Sequence, residues 1–255
     1  MCLITFAYKS HPKFELILAG NRDEFYERPT RKAEFWTKEG FPNILAGKDL
    51  EAGGTWLGVH EASRKWSALT NYRDTSIKKE DPPSRGELVL DYLKREKSAM
   101  DYLGDISKKA EKYNGFSLLL WDENGFYHYS NQNKKVTRIE PGIHGLSNAL
   151  LNTSWPKLDS AKSQLEHVIK KEDFGKEDLF KILLDERKAE EEELPVTGIP
   201  KELEKAVSSI FIKTESYGSR CSTVLLIDKE GNIDFTERRF EPGTSEVLGE
   251  QHFEI

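Results

Sequence analysis

The chain has 255 residues, a formal net charge of -6, and 37% hydrophobic against 32% charged content, with a mean hydropathy of -0.65, the balance of a globular protein with a heavily charged surface. No stretch approaches the roughly 18 apolar residues of a membrane span, and the acidic balance argues against nonspecific nucleic-acid binding, which relies on clustered basic charge. Cys2 and Cys221 cannot build a disulfide framework and have no zinc-ligand spacing, so both are expected as free thiols.

The chain opens on an apolar run, Cys2 to Tyr8. Polar Lys9-Ser10-His11 interrupts it too early for a secretory leader, which makes a cytoplasmic location the expectation. His11-Pro12-Lys13 separates this run from a second, Phe14 to Ala19, and both are apolar at nearly every position, so both faces of these strands should be covered. Asn21-Arg22-Asp23-Glu24 follows. Thr55 to His60 and Trp66 to Asn71 read as a hairpin entered through Gly53-Gly54. Ser84 is placed to cap a helix through Tyr92 with Glu87 completing a capping box, and Ser98 to start one reaching about Lys112.

Phe116 to Trp121 and Phe126 to Ser130 flank Asn124-Gly125, and Thr223 to Asp228 and Ile233 to Phe240 flank Gly231-Asn232, which predicts two further hairpins. Between them, Pro156 to Lys171 lays Leu158, Ala161, Leu165, Val168 and Ile169 along one helical stripe. The acidic stretch from Glu186 to Glu193 ends at Leu194-Pro195 and reads as an exposed helix end and loop. Hairpin strands needing cover on both faces, with helices grouped between strand pairs, predict an α+β sandwich of two mainly antiparallel sheets with helices outside. No linker divides the chain, so one domain spanning 1–255 is expected.

Cys2 directly behind Met1 has two readings. One is a small buried hydrophobe, the ordinary fate of a free cysteine. The other is a nucleophile: removal of Met1 would leave the Cys2 thiol beside its own α-amine, whose reference pKa of about 7.7 to 8.0 suits proton acceptance near neutral pH. In the second reading Arg22 lowers the thiol pKa or holds a substrate carboxylate, Arg220 does the same, and Asp23 orients the amine. Against these stand a surface salt bridge for each arginine and a turn for Asp23. Asn71 and Asn148 each follow an apolar strand end and are candidates for stabilising an oxyanion, or for local turns. Trp56, Trp66, Trp121 and Trp155 are core or the wall of an apolar pocket.

Asn21-Arg22-Asp23-Glu24 resembles the signature of the NRDE (transport and Golgi organisation 2-like) family. Met1-Cys2, Gly54-Thr55-Trp56-Leu57-Gly58, Thr70-Asn71-Tyr72-Arg73, Ser84-Arg85-Gly86, Gly145-Leu146-Ser147-Asn148 with Trp155-Pro156, and Arg220 before Ser222-Thr223-Val224 resemble family blocks in family order, across nearly the whole chain. The resemblance implies an N-terminal-nucleophile (Ntn) hydrolase fold in four layers, helix, sheet, sheet, helix. It also implies kinship with choloylglycine hydrolases and penicillin acylases, onto whose site residues Cys2, Arg22, Asp23, Asn71, Asn148 and Arg220 map. Cys221, where family members commonly carry a small hydroxyl residue, departs from the pattern. Two functions follow as expectations: hydrolysis of a C–N amide bond in a small amphiphilic substrate through an acyl-enzyme, with no cofactor or metal, or a carrier of haem or an acyl lipid on the same fold. Under the carrier reading Cys2, His60, His128 and His144 are the conceivable axial donors to haem iron.

Overall fold

A computed structural model describes residues 2–73, 79–171 and 173–255. In chain order its strands and helices are β1 (Cys2–Tyr8), β2 (Phe14–Phe25), β3 (Thr30–Trp36), β4 (Phe41–Asp49), β5 (Leu57–His60), β6 (Lys65–Asn71), α1 (Gly86–Lys94), α2 (Ala99–Ser107), β7 (Phe116–Asp122), β8 (Gly125–Ser130), β9 (Lys135–Arg138), β10 (Gly142–Leu146), α3 (Pro156–Ile169), α4 (Lys176–Leu183), α5 (Lys201–Ala206), β11 (Tyr217–Asp228), β12 (Ile233–Phe240) and β13 (Val247–Glu254). The fold is α+β with two antiparallel sheets, one ordered β10-β1-β2-β11-β12-β13 and the other β3-β4-β5-β6-β7-β8-β9. Two compact units contain them: residues 1–27, 141–147 and 151–255 hold the first sheet, and residues 28–140 and 148–150 the second.

In the first unit α3 packs on β1 and β10, and α4 on β2 and β11. The stripe read from the sequence is the cause: Leu158, Ala161, Leu165, Val168 and Ile169 are all buried. Gly145 on β10 makes the fit possible, because a Cβ there would lie 2.6 Å from a Leu158 methyl carbon. All seven residues of β1 are buried, as its unbroken apolar run requires.

In the second unit α1 lies on β4 to β6 and α2 on β7 and β8. Leu69, Leu118, Leu120, Tyr127 and Tyr129 from the sheet share one core with Tyr92, Leu93, Tyr102, Leu103 and Ile106 from the helices. Ser98 caps α2, its hydroxyl accepting the Asp101 N–H at 3.1 Å.

Several sequence expectations shift. The cap of α1 is Arg85 rather than Ser84, with no side-chain cap bond, and the Glu87 carboxylate accepts the Tyr113 hydroxyl instead of closing a capping box. The helix expected from Ser98 to Lys112 ends at Ser107 and resumes as a single 3-10 turn over Ala110–Lys112. Most consequentially, β2 continues to Phe25 instead of stopping near Ala19. Asn21 to Glu24 are therefore strand residues, and Asp23 is not in a turn.

Candidate functional site

The first sheet gathers four of the six expected site residues at one end. Cys2 opens β1 and pairs with Arg22; Arg22 pairs with Cys221 on β11; Asp23 pairs with Ser219, beside a register shift that leaves Arg220 bulged out of the ladder. The Cys2 thiol is buried and accepts the Asp23 backbone N–H, while its own carbonyl accepts the Ser147 hydroxyl at 3.3 Å. Burial pushes the thiol above its ordinary value, and the Asp23 charge adds to this. Arg22 pulls it down by less. The expectation that Arg22 would leave a ready thiolate therefore meets a larger opposing effect.

Asp23 is 1% exposed. The Ser219 hydroxyl donates to its Oδ1 at 2.6 Å, and the Tyr217 hydroxyl donates to its carbonyl at 3.0 Å. Ser219 is itself pinned, since its Oγ accepts the Ile212 N–H at 3.0 Å. Burial raises the Asp23 carboxyl, opposed by the positive charge of Lys157, by the Ser219 bond and by Arg22. Lys157, the second residue of α3, is 5% exposed and its ammonium donates to the Val207 carbonyl at 3.0 Å.

The arginines are placed differently. Arg22 lies 3.8 Å from the Glu24 carboxylate. The Arg220 guanidinium donates to the carbonyls of Phe25 at 2.8 Å and Tyr26 at 3.0 Å, tying the bulge in β11 to the chain leaving β2. Cys221 is a second buried free thiol, pushed well up by burial and by Glu237.

Asn71 and Asn148 come together in the second unit. Asn71 ends β6, and its carbonyl accepts the Asn148 side-chain amide at 3.0 Å. The Asn148 carbonyl accepts the Arg73 N–H at 2.8 Å, and the next carbonyl, of Ala149, accepts the Ser117 hydroxyl at 2.9 Å. Asn148 is fully buried, so at least one of its amide protons holds the backbone.

The sequence matches the family described as Transport and Golgi organisation 2 over residues 1–242. It is similar to the mouse Transport and Golgi organization 2 homolog (37% identity over 93% of this chain and 92% of the mouse protein), to the human homolog (36% identity over the same shares) and to the Drosophila melanogaster protein (30% identity over 93% and 91%). The chain belongs to the Transport and Golgi organisation 2 family.

Within this family member, residues the sequence reading passed over do much of the structural work around Cys2. Asn21, first letter of the signature, is fully buried. Its amide donates to the carbonyls of Leu183 at 2.8 Å and Ile210 at 3.0 Å, and its Oδ1 accepts the Ser222 hydroxyl at 2.6 Å. Ser219 and Lys157 likewise act on Asp23. A signal existed for Lys157, a lysine directly before the apolar stripe of α3; none existed for Ser219, whose partner is 196 residues away. Asp234, His252 and Glu254 bring metal-ligand atom types within 4.8 Å of one another among the described residues, but the Lys176 ammonium already bonds both Asp234 oxygens at 2.8 and 3.0 Å. No described helix is long and apolar enough to cross a membrane.

Proposed function

We propose that the protein is a cysteine amidohydrolase of the N-terminal-nucleophile type, cleaving a C–N amide bond in a small amphiphilic substrate. The observation that supports this reading is the Cys2 thiol held by the Asp23 backbone N–H beside a buried, doubly anchored Asp23. The raised thiol makes an internal base necessary, since little thiolate exists near neutral pH. The α-amine of Cys2 would serve once Met1, which lies outside the described residues, is removed. The amine takes the thiol proton as sulfur attacks the carbonyl carbon, and returns it to the departing amine. A thioester remains on Cys2, and water activated by the same amine hydrolyses it. Asp23 orients that amine.

Intact mass of the natively expressed protein, followed by incubation with a panel of N-acyl amides, tests the proposal. Loss of Met1 and an acyl adduct on Cys2 that disappears in Cys2→Ala are expected. A retained Met1, or product formation unchanged in Cys2→Ala, would overturn it.

One observation favours a carrier instead: a buried, protonated thiol suits a pocket wall better than a nucleophile. Haem ligation by the expected donors finds little support. The protonated Cys2 is a poor axial ligand, and His128 is 2% exposed within the second sheet. The Nδ1 atoms of His60 and His144 engage Ser63 and Asn152 at 2.9 and 3.0 Å. Under this reading an acyl lipid is the preferred cargo, and spectral titration with haem in wild type and Cys2→Ala separates the two.

A further inference from the structure

The turn from β1 to β2 and the approach to α4 border a cavity of about 320 Å³, lined by His11, Lys13, Phe14, Asp173, Phe174 and Gly175. A volume of this order falls at the lower end of the range for small-molecule sites. All six residues belong to the first unit. Cys2 lies at the opposite end of β1, and its seven strand residues at about 3.4 Å each put roughly 20 Å between the two places.

Aromatic rings form the wall. His11 and Phe14 stand 5.3 Å apart at 30°, Phe174 lies nearly perpendicular to His11 at 5.3 Å, and the two phenylalanines are 5.9 Å apart. Both phenylalanines remain partly exposed, so ring surface is left for a further flat group.

The polar groups at the cavity are uncommitted. His11 is 9% exposed, and its Nδ1 accepts the Lys13 backbone N–H at 3.2 Å, which leaves Nε2 to carry the proton of the neutral ring. Burial, then the charges of Lys13 and Lys229, hold the imidazole below its ordinary value, so the neutral ring prevails near pH 7. Among the described residues the His11 Nε2, the Lys13 ammonium and the Asp173 carboxylate have no hydrogen-bond or ion-pair partner. Their neighbours differ: Lys9 pairs with Glu15 at 3.4 Å, Lys171 with Asp178 at 3.2 Å and Lys176 with Asp234 at 2.8 Å.

We infer that this cavity binds a flat heteroaromatic ring with adjacent hydrogen-bond donor and acceptor atoms, as on the pairing edge of a purine base. Phe14 and Phe174 supply the surface on which the ring packs. The His11 Nε2–H donates to a ring nitrogen or carbonyl oxygen, the Asp173 carboxylate accepts from an amino or N–H group, and Lys13 adds a second donor at the rim. Bases held outside a duplex are read in this way, through their pairing edge and through aromatic contact with their faces. This inference stands on the cavity itself and does not require turnover at Cys2.

Isothermal titration of the full chain with guanosine, adenosine and ribose tests the site. At least one purine nucleoside should bind saturably and ribose should not, and the tighter nucleoside identifies the edge that is read. His11→Phe, which keeps an aromatic ring and removes the donor, should weaken binding at least tenfold. Asp173→Asn, at an exposed position where folding is not at stake, should weaken it at least threefold, and Arg187→Gln, beyond the other end of α4, should leave it unchanged. No saturable binding of either nucleoside, or undiminished binding in both His11→Phe and Asp173→Asn, overturns the inference. Cys2→Ala should bind as the wild type does, and loss of binding there would move the ligand to the thiol and overturn the inference too. Nucleoside binding without amide turnover counts against the hydrolase alone, and the reverse counts against this site alone.

Discussion

Behind the second sheet, leucines and tyrosines of β6 to β8 meet leucines, tyrosines and Ile106 of α1 and α2, and what specifies the contact is volume. Behind the first sheet, the helix-side positions of β2 and β11 include Asn21, Asp23, Ser219 and Ser222, all buried. What specifies that contact is a set of directed hydrogen bonds. An apolar face tolerates exchange between hydrophobes of similar size. A polar one requires each donor to find its acceptor, because a buried group left alone costs its full desolvation. On the first sheet the signature Asn21-Arg22-Asp23-Glu24 therefore contributes two of these buried polar groups, Asn21 and Asp23.

Substitutions can break or sharpen this contrast. The largest effect expected lies in the volume-limited unit, at Gly54, where an added Cβ would meet the Gly86 carbonyl carbon at 2.5 Å and the Glu87 nitrogen at 2.9 Å. Backbone cannot yield as a side-chain tip does, so Gly54→Val should cost more than about 4 kcal/mol, read as loss of the cooperative thermal transition. Leu118→Ala, which empties part of the same core, should cost about 3 kcal/mol by urea unfolding without altering its pH dependence.

His128 offers a comparable effect that depends on pH. Burial lowers it to about 4, against about 6.5 when unfolded. Because the folded state binds the proton more weakly, its stabilising contribution is complete above pH 6.5 and is lost as pH falls toward 4. The loss is about 3 kcal/mol, and His128→Phe should flatten the wild-type decline in urea midpoints over that window.

Asn21→Ala strands two carbonyls and a hydroxyl behind the first sheet and should cost about 2 kcal/mol in the same assay. If Asn21→Leu proved as stable as wild type, the distinction between the two helix-backed faces would fail. Ser98→Ala, removing the cap of α2, sets the low end at about 1 kcal/mol.

What the sequence disclosed follows the same division. The apolar run of β1, the α3 stripe and the Asn124-Gly125 hairpin are periodic or local signals, and each appears where it was read. The extent of β2 was hidden because its last residues are polar. They remain in the ladder because Ser222 and Ser219, 201 and 196 residues distant, satisfy Asn21 and Asp23, and no local pattern encodes such partners. The edge strand β13 was missed because its residues are mostly exposed and alternate without an apolar face. The cluster of Cys2, Arg22, Asp23 and Arg220 at one sheet end was legible, whereas the use of Arg220 to fasten the bulge depends on backbone geometry.

The strand that carries Arg22 also keeps the protein's two cysteine sulfurs from ever meeting. With β2 between them, the backbones of Cys2 and Cys221 are about 10 Å apart, beyond the roughly 7 Å limit for an unstrained cystine. Under peroxide neither cysteine has an internal resolving partner, so any sulfenic acid formed at either must wait for glutathione or advance to irreversible oxidation.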